Sequence, residues 1–293
     1  MRTWVPAIFL AVILAFLLPP VPALVKKKLR SRRSLLFAVP AMLSAAFCLV
    51  AWRLGAWTWP VTLLILAYTL IPTICIFVQG MDAGAATWLD LAVILLLWLP
   101  IELNAGARLI PRHAQGLLHT VAYGVALTLA LVLFLSYRGL RGMKFNLPTR
   151  LMDFVDPVIA YILVAPILIA LGLALSFLPW WHIPGNLSAV RVAKTFGLIL
   201  VATALPEEIL FRSLIQNWLM QKFGSTTAVL ILASVIFGCA HLNNGPQPLP
   251  NWRYMILATI AGYAYGKVFE RASSAMASMI LHALVDVTKH VFF

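Results

Sequence analysis

About ten apolar runs of helix length follow one another along a chain of 293 residues, near 3–25, 34–52, 58–79, 87–107, 116–137, 155–178, 192–221, 226–242, 254–270 and 273–293. A helix needs ~20 mostly apolar residues to cross the ~30 Å hydrocarbon layer of a bilayer. Backbone hydrogen bonds must close within the protein there, so segments of this length are helices. The expected fold is all-α: a polytopic transmembrane helical bundle of about ten spans. Composition agrees, with 62% hydrophobic and 11% charged residues. A soluble domain carries about 25% charged residues, so this chain relies on lipid to cover its surface.

The formal net charge of +13 comes from short runs between apolar stretches, the pattern that sets membrane orientation. No basic stripe with interleaved aromatics marks a nucleic-acid face, so no nucleic-acid partner is expected. The charge of the N-terminal run follows its apolar part instead of preceding it (Arg2 alone before; Lys26, Lys27, Lys28, Arg30, Arg32 and Arg33 after). A cleavable signal has the reverse order and a shorter apolar core. The expectation is a first transmembrane helix held by a basic loop at 26–33. Four runs separate that loop from a second one at 138–150, with Arg138, Arg141, Lys144 and Arg150. Both therefore lie on one side, the cytoplasmic side by the positive-inside rule. The same count places the loop 242–252 on the opposite side. Trp57, Trp59, Trp180, Trp181 and Trp252 sit near span ends, as an interfacial belt requires. Cys48, Cys75 and Cys239 lie inside apolar runs and read as packing residues.

Residues 1–150 hold only Asp82, Asp90 and Glu102 as acids, without a cluster. They form an N-terminal transmembrane region of unknown role. Residues 151–293 form a second region, where the chemistry concentrates within 190–290. An ionisable group inside a bilayer costs ~2.5–3.5 kcal/mol on insertion scales, so each one there needs a reason.

Three elements stand out. In Leu205-Pro206-Glu207-Glu208-Ile209-Leu210-Phe211-Arg212, Glu208 and Arg212 are four apart on one helix face and can pair. Glu207 points about 100° round the helix from Glu208, available as a general base. Pro206 removes a backbone donor and kinks the helix beside the acids. In Phe237-Gly238-Cys239-Ala240-His241, the small Gly238 and Ala240 allow a helix or a substrate backbone to come close. The polar loop from Leu242 to Gln247 would give water access to His241. In His282-Ala283-Leu284-Val285-Asp286, one turn separates the two ionisable groups, and His290 continues the stripe. Asp286 either orients the imidazole or joins it in donating to a reacting oxygen. Cys239 points about 160° from His241 on a helix and is a poor nucleophile.

Two chemistries fit two histidines and two or three carboxylates on three spans. Glu207, His241 and His282 would make a zinc set with an open position, although the His-Glu-x-x-His pattern is absent. Alternatively, Glu207 and His241 activate water without a metal, and His282 and Asp286 stabilise an oxyanion.

Glu207-Glu208-x-x-x-Arg212, Phe237-x-x-x-His241 and His282-x-x-x-Asp286 resemble the three ordered motifs of the CAAX-protease and bacteriocin-processing (CPBP, Abi-type) family. These are intramembrane glutamate-type proteases related to the Ras-converting CAAX endopeptidase. The resemblance covers roughly residues 190–290. It implies peptide-bond hydrolysis within the membrane, with Glu207 and His241 as water activators and His282 and Asp286 as the oxyanion pair. Glu208, Arg212 and Phe237 are then supporting residues. Asp286 departs from the Asn of the prenyl-protein endopeptidase relatives, and an Asp donates a hydrogen bond only when protonated.

The reading is an intramembrane peptidase acting on a membrane-associated peptide or protein, in a multi-pass protein of a prokaryotic cytoplasmic (inner) membrane. No cofactor is expected, with zinc as the alternative. A proton-coupled transporter would also hold intramembrane Glu and His, but with matching broken helices in inverted repeats. A bacteriocin-immunity or scaffold protein would keep the fold without the water activators.

Overall fold

A computed structural model describes residues 4–81, 84–245 and 247–293. Arg2, Thr3, Asp82 and Pro246, and with them part of the Gly80–Gly84 break, lie outside these. The described residues contain no strand, and 76% of them are helical. The chain divides into two compact units at Gly142/Met143.

The first unit begins with α1 (Trp4–Ala15) and α2 (Pro20–Ser31), which meet at 87°. This corrects the single first helix and the basic loop expected from the sequence. Pro19 and Pro20 withhold two backbone donors and restrict the residue before them, so the helix breaks there. Lys26, Lys27, Lys28 and Arg30 belong to α2, with only Leu29 among its residues buried. Each of these helices rises only ~18 Å at 1.5 Å per residue, too short to cross alone.

A 3-10 turn (Arg33–Phe37) leads into α3 (Ala38–Arg53), followed by α4 (Trp59–Gln79), α5 (Trp88–Glu102) and α6 (Arg112–Ala130). The last of these continues as a π-helical stretch, Leu131–Tyr137. Thr58 caps α4. Thr87 and Asp90 form a reciprocal capping box on α5, satisfying backbone donors that a helix start leaves open. Asp90 does more than cap. Arg138 donates to both its carboxylate oxygens at 3.1 and 3.0 Å, and both side chains are fully buried. Arg138 is therefore no solvated topology charge of the 138–150 loop: it neutralises an acid inside the unit.

The second unit contains α7 (Met152–Ala174) and the irregular stretch 175–188. A long interrupted helix follows: α8 (Ala189–Ile199), a π-stretch (Leu200–Ala204), α9 (Leu205–Glu208), a second π-stretch (Ile209–Gln216) and α10 (Asn217–Phe223). Then come α11 (Thr227–Cys239), α12 (Trp252–Arg271) and α13 (Met276–Phe292). The basic stretch before α7 has structural duties. Lys144 Nζ donates to the carbonyls of Phe269 and Glu270 at 2.8 and 3.1 Å, and Arg150 donates to that of Arg271 at 2.7 Å. Cations thereby satisfy the open carbonyl end of α12. Asp153 accepts from the Ser273 backbone at 2.8 Å, and so ties the start of α7 to the α12–α13 corner.

All ten apolar runs are helical over most of their length. Among the described residues, four helices are long and apolar enough to cross a membrane (33–53, 59–79, 112–137 and 152–174), or five spans arise if α1 and α2 form one broken span. The all-helical expectation holds, whereas about ten spans is not confirmed. The shortfall has a cause: α11 has 13 residues, the helix around Glu207 is interrupted by π-stretches, and α12 carries four charged side chains. The face α7 turns outward is apolar, with Ile162 and Leu163 more than 60% exposed. A helix with such a face needs lipid, and the chain is an integral membrane protein.

Candidate active site

The interrupted helix sets the position of the acids. A π-stretch closes i→i+5 hydrogen bonds and widens the helix, and such stretches recur at functional positions. Here one lies directly before Leu205-Pro206 and another directly after Glu208. Pro206, which lacks a donor, sits where the helix has already left the regular ladder. The kink expected at Pro206 takes the form of two changes of helical register around the Glu pair.

Glu208 and Arg212 are both fully buried, and the guanidinium Nε lies 3.1 Å from Glu208 Oε2. The other carboxylate oxygen, Oε1, accepts from His282 Nδ1 at 3.0 Å. Arg212 also lies 4.8 Å from the centre of the Phe237 ring, a cation–π contact in a dry setting. Phe237 in turn bonds His241 through its carbonyl, 2.9 Å from Nδ1.

These partners fix which ring nitrogen is available. A carbonyl only accepts, so His241 Nδ1 carries the hydrogen and Nε2 of the neutral ring presents a lone pair. His282 Nδ1–H donates to Glu208, and its Nε2 can donate as well once the ring is an imidazolium. Both Nε2 atoms face the same carboxylate oxygen: Glu207 Oε2 stands 3.9 Å from that of His241 and 3.8 Å from that of His282. Such separations exceed a direct hydrogen bond and suit one small polar group held between the three. Asp286 Oδ2 approaches the same His282 nitrogen at 3.7 Å. The carboxylate that hydrogen-bonds and orients the His282 ring is therefore Glu208, on another helix, whereas Asp286 stands beside the opposite ring nitrogen, Nε2.

His241, His282 and Asp286 line a cavity of about 70 Å³ with Tyr254, Tyr265 and Lys289. A single water needs only ~10–15 Å³ of such space. Spacing along the sequence gave no sign of the two tyrosines. Tyr265 stacks on His282 with ring centres 4.7 Å apart, and Tyr254 meets His241 edge-on at 4.6 Å. His290, placed on the His282–Asp286 stripe from sequence, is exposed and bonds the carbonyl of Asp286 at 2.8 Å. Lys289 takes the cavity position instead. Seven residues turn a helix almost twice, whereas eight overshoot by about 80°, and that spacing is the signal that identifies it. Cys239 is exposed and outside the cavity lining.

Glycines let α12 come this close. A Cβ on Gly262 would meet Phe237 Cδ1 at 2.8 Å, and one on Gly238 would meet the carbonyl of Met255 at 2.6 Å. The close approach expected at Gly238 is made by α12. Gly262→Ala is expected to lower stability by about 1–3 kcal/mol through overpacking, read as a drop in thermal unfolding temperature in detergent. An unchanged transition would contradict this packing.

Among the described residues, no three His, Cys, Asp or Glu side chains are arranged to hold a metal ion together. Adjacent ligands of a tetrahedral zinc with ~2.0–2.1 Å bonds lie ~3.3 Å apart, closer than Glu207 lies to either histidine. The set Glu207, His241 and His282 does not fit zinc as placed.

The fold and site define a helical membrane protein with a glutamate–histidine centre. Residues 189–288 match the family described as Type II CAAX prenyl endopeptidase Rce1-like. That part of the chain, about a third of it, is similar to the CAAX-protease family. No curated protein and no solved structure matches the chain.

Proposed function

We propose that the chain is an intramembrane endopeptidase that hydrolyses a peptide bond of a membrane-associated peptide or protein with water activated by Glu207 and His241. The observation that carries this reading is the placement of Glu207 Oε2 between the Nε2 atoms of His241 and His282, at 3.9 and 3.8 Å, beside a small cavity. A water held there donates one proton to Glu207 or His241 as its oxygen bonds to the substrate carbonyl carbon. Charge develops on the carbonyl oxygen, where His282 as imidazolium, and Asp286 when protonated, donate hydrogen bonds. The C–N bond then breaks, and the proton taken from water passes to the leaving amine. Glu208 holds the His282 ring and balances its charge, and Arg212 balances Glu208. No step in this scheme passes through a metal. A prokaryotic cytoplasmic membrane belongs to the same proposal, with bilayer lipid and the peptide substrate as the partners.

The experiment uses the purified full chain in lipid nanodiscs with a set of lipid-anchored peptides, the products being identified by mass spectrometry. Peptides cleaved into two fragments with a new carboxylate and a new amine are expected, at an unchanged rate after exhaustive chelation. A folded protein that cleaves none of them contradicts the proposal. Loss of activity on chelation, restored by zinc, overturns the metal-free scheme alone.

A further inference from the structure

The first unit holds a cavity that the catalytic scheme does not involve. Its volume is about 520 Å³, within the ~300–1,000 Å³ usual for small-molecule sites. Phe47 of α3, Ile65 of α4, Ile101 of α5 and Leu118 of α6, all buried, give it four apolar walls. The connection from α5 to α6 closes it with Asn104, Gly106 and Ile110. Gln115 fixes that connection: its amide donates to the carbonyls of Ala107 and Ile110 at 3.0 and 2.9 Å. The walls are thus set before a ligand arrives, which lowers the entropy cost of binding. Polarity concentrates along α6 and at one end. Gln115 and His119 both line the cavity, one helical turn apart. Among the described residues, no hydrogen bond engages the His119 ring, which packs edge-on against Tyr123. Arg112 lies one turn before Gln115 on the same face, and Arg108 lies between the lining residues Ala107 and Ile110; both arginines are exposed. Between residues 100 and 113 the one acid is Glu102, which accepts from the Trp98 indole at 3.2 Å. This end of the cavity is therefore positive. His113 bonds the carbonyl of Leu54 at 3.0 Å, which brings the start of α4 to the same end. Trp57 and Trp59, exposed there, mark it as the level of the bilayer interface.

We infer that this cavity is a binding site for one anionic glycerophospholipid, with its phosphate at Arg108 and Arg112 and one acyl chain between α3, α4, α5 and α6. The groups along α6 follow the order of groups in such a lipid. Arg112 meets the phosphate, and Gln115 and His119 lie ~4.5 and ~10.5 Å farther along the helix, where the glycerol esters offer oxygens to hydrogen-bond. Beyond them the walls are apolar, and an acyl chain gains there what water cannot. A zwitterionic lipid brings a cationic headgroup that the two arginines repel. A free fatty acid has the chain and an anionic end, but no esters for His119. The site lies wholly in the first unit, and the assignment stands apart from the endopeptidase reading.

The test offers the full chain, purified in a mild detergent, an equimolar mixture of phosphatidylglycerol, phosphatidylcholine and oleic acid. Native mass spectrometry then reads which molecule is retained. Wild type is expected to keep one phosphatidylglycerol, favoured about 25-fold over phosphatidylcholine, or about 5-fold for each arginine near a membrane surface. Arg108→Gln with Arg112→Gln is expected to erase that preference. Gly116 supplies an independent variant. It lines the cavity, and a Cβ there meets nothing within 4 Å. Gly116→Leu therefore fills the space without a clash and puts a better helix former into α6. It is expected to retain at least 10-fold less of either phospholipid, with a lipid-free unfolding temperature at or above that of wild type. Should this variant unfold early, the substitutions at the two exposed arginines decide alone. Equal retention of both phospholipids by wild type overturns the assignment, and so does a preference that survives loss of both arginines. Unchanged retention by folded Gly116→Leu moves the lipid out of the cavity and overturns it too. Oleic acid retained in place of phosphatidylglycerol makes the occupant a fatty acid, and overturns the phospholipid assignment.

Discussion

Glu207→Gln is expected to lower kcat/KM by roughly 10²–10⁴-fold, the usual contribution of a positioned general base, while thermal unfolding stays close to wild type. The two effects separate because the Glu207 side chain keeps 29% exposure and the amide has the same shape. What the amide lacks is an oxygen able to take the water's proton. His241 Nε2 faces the same point and can accept it in part, so a residual rate is consistent with the scheme. His241→Gln should then show a smaller loss than Glu207→Gln, and the double variant should add little to the larger one, as for groups that act as a unit. Rates within a few-fold of wild type in Glu207→Gln would rule out water activation at this carboxylate.

Arg212→Met should damage the fold more than any catalytic substitution. It leaves Glu208, fully buried, without the guanidinium at 3.1 Å. Breaking a buried pair from one side destabilises by about 3–5 kcal/mol, because a charge remains where water cannot reach it. The double variant Glu208→Gln with Arg212→Met removes both charges, and much of the lost stability should return. Activity should not return with it if His282 acts as the proposed scheme has it, since the neutral amide introduced by Glu208→Gln cannot balance an imidazolium at that position; a deficit of roughly 10²-fold is expected. Thermal unfolding and peptide cleavage, measured on the same preparations, read the two effects separately. If the double variant is no more stable than Arg212→Met, the pair does not act as a charge-compensated unit.

Much of the site could be read from spacing. Glu208 and Arg212 are four apart on a helix, and they pair as that spacing requires. The small Gly238 beside Phe237 pointed to a close approach, and α12 makes it. What spacing could not reveal came from other helices. The imidazole of His282 has a carboxylate one turn away in sequence, yet the one that bonds it is Glu208, 74 residues earlier. Arg138 read as a topology charge because its partner Asp90 lies 48 residues away. Lys144 and Arg150 read the same way because the carbonyls they satisfy belong to α12.

An all-helical membrane chain is legible in the order of residues alone, and so is the concentration of intramembrane acids and histidines that marks the candidate site. Apolar length and the insertion cost of charge act locally and leave their mark on consecutive residues. Which oxygen faces which nitrogen, which carboxylate orients which ring, and the 87° break between α1 and α2 emerge from packing in three dimensions. Those outcomes depend on helices meeting across tens of residues, where a register change of one residue turns a side chain by about 100°. The two π-stretches around Glu207 and Glu208 make such changes, and the candidate active site depends on them.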